Sequence, residues 1–126
     1  MSLAQQLAAE SIAAVAKGRN LQDVLAAIRA AHPELTAQEL GALQDIAYGC
    51  QRYLGSLKYM LAQMLKKPIS NPQLESLLLA ALYQLNHTRN APHAVVNEAV
   101  ESIAKIGRGQ YRSFANAILR RFLREK

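Results

Sequence analysis

Cysteine occurs once in this chain, so an internal disulfide is excluded and stability has to come from packing. No apolar run approaches the roughly twenty residues needed to cross a bilayer, and no signal-peptide pattern opens the sequence. A membrane is therefore not an expected partner, and a reducing compartment such as a bacterial cytoplasm suits the composition. The three histidines, His32, His87 and His93, have no second ligand at useful helical spacing. That argues against a metal centre. No glycine-rich turn follows a strand pattern, so no site for S-adenosylmethionine is visible. Paired catalytic acids are missing as well, because Glu98, Glu101 and Glu125 are scattered. Catalysis by this chain alone has little to stand on. Cys50, on the apolar side of a helical pattern between Ile46 and Tyr53, reads as a small buried hydrophobe and not as a nucleophile.

What is present is apolar and helix-forming. Of 126 residues, 51% are hydrophobic, enough for one packed domain. Alanine and leucine dominate and β-branched runs are scarce, so the expected class is all-α. Seven short helices can be placed. The first runs from about Leu3 to Lys17 and stops at Gly18. Asn20 caps a second, which ends before Pro33. Thr36 and Glu39 form a capping box for a third, with Leu40, Leu43, Ile46, Ala47, Cys50, Tyr53 and Leu54 inward. Gly55 and Ser56 are expected to break or bend the chain before a fourth, which carries Leu57, Met60, Leu61, Met64 and Leu65.

The segment KKPISNP, residues 66–72, is the main internal boundary. It separates a first group of helices, about 1–65, from a second, 72–126, with 66–71 as the link. Both groups are expected to form one cooperative domain. Asn71 and Pro72 start a fifth helix that is apolar nearly all round, predicted as the central helix of the second group. The sixth starts at Pro92 and ends near Gly107, and the seventh follows Gly109. Short links between such helices predict an all-α bundle.

Positive charge is concentrated. The formal net charge is +6, and residues 1–63 hold five basic and five acidic side chains, so the whole excess lies in residues 64–126. In the seventh helix Arg112, Asn116, Arg120 and Arg124 recur every four residues and share one stripe, with Arg121 beside it. Tyr111, Phe114, Ala115, Ile118, Leu119 and Phe122 are predicted to face the core. Arg108 lies in the glycine-flanked turn, Lys66 and Lys67 in the central link, and Arg89 in the loop before the sixth helix. Such a row suits an anionic partner, and nucleic acid is the first candidate. A solvated basic face with no partner is the plainer alternative.

Several segments carry a resemblance. PHAVVNEAVE followed by FANAILRR resembles the closing motif of the NusB-like RNA-binding domain, and IAYGCQRYLGSLKYML, KKP and LLLAALYQLNHTRNAPHA extend the similarity. The pattern is most similar to the variant fused to the amino end of bacterial 16S ribosomal RNA cytosine-C5 methyltransferases of the Sun/Fmu type. It covers about residues 36–124, and the first 35 only by helix pattern. The resemblance implies a NusB-like bundle in two packed helical subdomains. It implies ribosomal RNA as partner, and a chain that is the leading part of a longer methyltransferase. S-adenosylmethionine and the motif cysteines would belong to that missing catalytic domain.

On this reading Lys66, Lys67, Arg89, Arg108, Arg112, Arg120, Arg121 and Arg124 are the candidate RNA contacts. His93, Asn97 and Asn116 belong to the family-like motifs and are expected to act structurally, the two asparagines by hydrogen bonding to a neighbouring loop. Tyr53 and Tyr111 are assigned to packing before base stacking. Glu101 and Lys105 stand at ion-pair spacing. A transcription antitermination factor, or a helical domain that docks on a ribosomal protein or on its own catalytic domain, fits the same pattern and stays open.

Overall fold

The computed structural model describes residues 2–125. Among them the chain forms seven helices and no strand: α1 (Ser2–Ala16), α2 (Leu21–Ala31), α3 (Ala37–Arg52), α4 (Leu54–Gln63), α5 (Pro72–His87), α6 (Pro92–Ala104) and α7 (Arg112–Glu125). The starts are fixed locally. The Asp23 N–H donates to Asn20 Oδ1 at 3.2 Å, and the Leu74 N–H donates to Asn71 Oδ1 at 3.0 Å with Pro72 in the first turn. Thr36 and Glu39 close both halves of a capping box, at 2.9 and 3.0 Å. Each such cap satisfies a helix-end N–H and contributes about 1 kcal/mol.

Because α5 is apolar nearly all round, it needs cover on every side. Leu74 and every residue from Ser76 to Leu85 are buried. α1, α3, α4, α6 and α7 all pack on it, so it is the central helix of the whole molecule and not of the second half alone. α1 packs against α3 and α5, and less extensively against α6. Inside the α1–α5 contact, buried Gln5 donates from Nε2 to Gln84 Oε1 at 2.8 Å. One hydrophobic cluster draws residues from all seven helices, from Ala4 to Leu119.

Three details differ from the sequence reading. Gly55 and Ser56 do not break the chain but lie in the first turn of α4. The break falls at Tyr53 (φ −110°, ψ 20°), which swings its ring across to His87. α6 ends at Ala104, and residues 105–111 form a turn in which Gly107 (φ 62°) and Gly109 (φ 79°) take the left-handed conformation that side-chain-bearing residues avoid. Phe114 is 38% exposed. The buried stripe of α7 is Ala115, Ile118 and Leu119, a narrow arc, and Phe114 falls just outside it.

Cys50 is fully buried and its Sγ points to the Leu79 carbonyl oxygen at 3.7 Å. Burial, helped by the Asp45 charge, pushes the thiol from an ordinary value of 9.0 up to about 12. Above about pH 9 the unfolded chain therefore releases this proton while the folded chain keeps it. Stability is expected to be flat below that point and to fall with rising pH until about 12. Urea titrations at pH 7.5, 9 and 10.5 should show the decline, and Cys50→Ala should make it shallower. An equal slope in the variant contradicts the assignment.

Candidate nucleic-acid interface

The arginine stripe of α7 faces α6 along one side of the molecule. Asn97 and Glu101 of α6 line a surface groove of about 270 Å³ with Arg112, Ser113 and Asn116 of α7. His93 and Asn97 meet Arg120 further along. Rising numbers on α6 thus match falling numbers on α7, so the pair is antiparallel. The two left-handed glycines of the 105–111 turn permit that reversal in a short link.

Arg120 is the centre of the arrangement. Its Nε donates to Asn116 Oδ1 at 3.3 Å, one Nη donates to His93 Nδ1 at 3.3 Å, and the other donates to Asn97 Oδ1 at 3.4 Å. A guanidinium can only donate, so His93 Nδ1 is the acceptor and its proton sits on Nε2. All three partners are neutral. They hold the guanidinium plane without cancelling its charge, and they leave N–H groups for an outside acceptor. No carboxylate among the described residues forms an ion pair with Arg112, Arg120 or Arg124. Oxyanions with paired oxygens, phosphate above all, fit such a fork.

The other predicted residues are distributed unevenly. Arg112 lines the groove, and Arg124 follows Arg120 by one turn on the same stripe. Arg121 points elsewhere and is tied to Glu125 at 3.0 Å, so part of its charge is neutralised. Arg108 is exposed in the α6–α7 turn. Arg89 is exposed in the 88–91 loop, which is shaped by the Thr88 hydroxyl donating to the Gln84 carbonyl at 2.6 Å and by the Asn90 N–H donating to Thr88 Oγ1 at 3.2 Å. Lys66 and Lys67 are exposed in the 64–71 link, and among the described residues no hydrogen bond or ion pair joins them to the Arg120 cluster. Asn97 and Asn116 are exposed and serve Arg120, not a neighbouring loop as the sequence suggested. The Glu101–Lys105 ion pair does not form among the described residues. Glu98 is half-buried, and burial raises its carboxyl above the usual value.

This bundle matches the NusB family model over residues 2–124. The chain belongs to the NusB family. Within that family it is 33% identical, over 123 residues, to a protein named ribosomal RNA small subunit methyltransferase B from Sodalis glossinidius, and 31% identical over 125 residues to the protein of that name from Klebsiella pneumoniae. It is 37% identical over 95 residues to the one from Pasteurella multocida. The first two matches cover 95% and 97% of this chain but 28% of each relative, and the third covers 74% and 21%. The chain spans little more than a quarter of the first two relatives, at their amino-terminal end, and about a fifth of the third.

Two features of this NusB-family domain were not found from its sequence. Lys17, Arg19 and Lys105 border a concave surface of about 870 Å³ between the end of α1, the start of α5 and the end of α6. Arg19 following the Gly18 turn was the available signal. The second is an aromatic recess that joins α3 to the end of α5, where Asp45, Tyr48 and Arg52 at helical spacing were the signal. Among the described residues, no group of three His, Cys, Asp or Glu could hold a metal ion, and no helix is long and apolar enough to cross a membrane.

Proposed function

We propose that this NusB-family domain binds ribosomal RNA through backbone phosphates and positions it for an S-adenosylmethionine-dependent cytosine-C5 methyltransferase domain of the same longer protein. The observation that carries this reading is the Arg120 guanidinium held by three neutral acceptors, with Arg112 and Arg124 along the same stripe and no carboxylate paired to any of them among the described residues. The names of the similar proteins support ribosomal RNA as the nucleic acid. Their length supports a following domain, and the cofactor is assigned there. Phosphate contacts of this kind supply affinity and orientation more than sequence choice. Of the sequence-derived residues, Arg112, Arg120 and Arg124 are the principal contacts, Arg89 and Arg108 flank them, and His93, Asn97 and Asn116 are positioning residues.

A conservative exchange tests the fork. Arg120→Lys keeps the charge but cannot reach three acceptors at once, so it should weaken binding to a small-subunit RNA fragment about fivefold, in gel-shift titrations at low salt. Unchanged affinity with an intact fold would show that charge alone matters at that position. The groove bordered by Lys17, Arg19 and Lys105 favours a second reading, a protein contact on a different face. A partner that co-purifies through nuclease treatment, and is lost on Arg19→Glu, would support it.

A further inference from the structure

The second concave surface lies one short loop from the Arg120 cluster, and its walls are aromatic. On α3, Asp45, Tyr48 and Arg52 share one outward side, and from α5 Tyr83 and His87 stand four residues apart. Together with Tyr53 they enclose a recess of about 270 Å³. The Tyr53 and His87 rings are stacked at 3.9 Å and 10°, and Tyr83 continues the stack with 5.4 Å and 25° to His87. Gly49 forms the floor, where any side chain would run into the Tyr83 ring. Tyr48 at the mouth is 47% exposed, and His87 is exposed as well.

Polar groups at the edge are complementary. The Tyr83 hydroxyl donates to Asp45 Oδ1 at 2.9 Å, which fixes the carboxylate. Neither Asp45 nor Arg52 forms an ion pair among the described residues. The Arg52 guanidinium instead lies 5.6 Å from the centroid of the Tyr53 ring. The rim therefore offers a carboxylate acceptor and a guanidinium donor beside flat walls. A planar heterocycle that carries two adjacent N–H donors beside a carbonyl acceptor matches that set, the donors for the carboxylate and the acceptor for the guanidinium, whereas uracil has a single N–H to offer. An unpaired guanine does so with N1–H and its amine toward a carboxylate and O6 toward a guanidinium.

Position gives the recess a role. His93 follows His87 by six positions, a span of at most about 21 Å. The loop between them carries Arg89, and His93 bonds Arg120. With His87 on the recess and His93 on Arg120, a single strand held along α7 by its phosphates can reach this recess within a few nucleotides. We propose that the recess receives one unpaired nucleobase of the bound RNA, with guanine preferred, and so adds sequence choice to the phosphate grip. The proposal rests on the RNA-binding reading above.

Two labelled single-stranded RNA nonamers test it, one of nine uridines and one with guanosine at the centre, by fluorescence anisotropy at low salt. The guanosine strand should bind at least about fivefold tighter, the lower end for discrimination by one bidentate contact to a base edge. Tyr48→Ala and Arg52→Gln should each bring the ratio near one, while affinity for the uridine strand and its salt dependence stay unchanged. Both positions are exposed; if Tyr48→Ala fails to fold, Arg52→Gln decides alone. Steeply salt-dependent binding of both strands with a wild-type ratio near one, or a ratio unaltered in the folded variants, overturns the recess and leaves the phosphate surface standing. No binding of either strand, even at low salt, overturns both.

Discussion

Replacing Arg112 and Arg120 together by glutamate should lower affinity for a structured small-subunit RNA fragment about a hundredfold at moderate salt. An arginine that no longer neutralises a phosphate leaves about 0.9 counterion unreleased. Near 0.15 M salt that is roughly a fivefold reduction in affinity for each of the two arginines. The two carboxylates then repel the backbone, which supplies the remainder. The fold should survive, because Arg112 is exposed, Arg120 is partly exposed, and neither belongs to the hydrophobic cluster. Circular dichroism and the melting temperature check that point. A double variant that melts normally and binds normally would remove the α7 stripe from the interface.

Gly49→Ala should lower the melting temperature by about 10 °C, against the usual direction for this substitution. In a helix interior alanine is normally better than glycine by about 1 kcal/mol. Gly41, in the same helix α3, has open space where a Cβ would sit, so Gly41→Ala should follow that rule and stabilise slightly. At Gly49 the added Cβ would run into the Tyr83 ring. The ring is buried, held by its hydroxyl on Asp45 and stacked toward His87, so it cannot swing away cheaply. Overpacking of this kind costs about 3 kcal/mol, which for a domain of this size gives about the stated shift. Pairing Gly49→Ala with Tyr83→Leu should recover part of that stability. Thermal melts of the wild type and the three variants decide. A Gly49→Ala protein as stable as Gly41→Ala would mean that α3 and α5 do not approach as described.

The parts legible in the sequence were those encoded within a few residues. Asn20, the Thr36–Glu39 box and the Asn71–Pro72 start needed no tertiary knowledge. The all-round apolar pattern of α5 pointed to a central helix, though its reach across the whole molecule depended on where α1 packs. The four-residue recurrence of Arg112, Asn116, Arg120 and Arg124 gave the stripe. It did not give His93 and Asn97 as the groups that hold Arg120, because that pairing depends on the antiparallel register of α6 and α7. Phe114 misled because an aromatic residue at the margin of a helix's apolar arc has the same spacing as one inside it. The aromatic recess was hidden for a different reason. It joins residues 38 apart in sequence through Tyr53, whose ring direction follows from a backbone kink that was expected two residues later.

The slope of log affinity against log salt for the wild-type domain and a structured ribosomal RNA fragment tests the central claim most directly. Grip through Arg112, Arg120, Arg124 and a flanking cation predicts a slope between about −3 and −4. In the Arg112→Glu/Arg120→Glu protein that slope should be shallower by about two. A flat response in the wild type, or no measurable binding at low salt, would contradict a phosphate-holding face on α6 and α7.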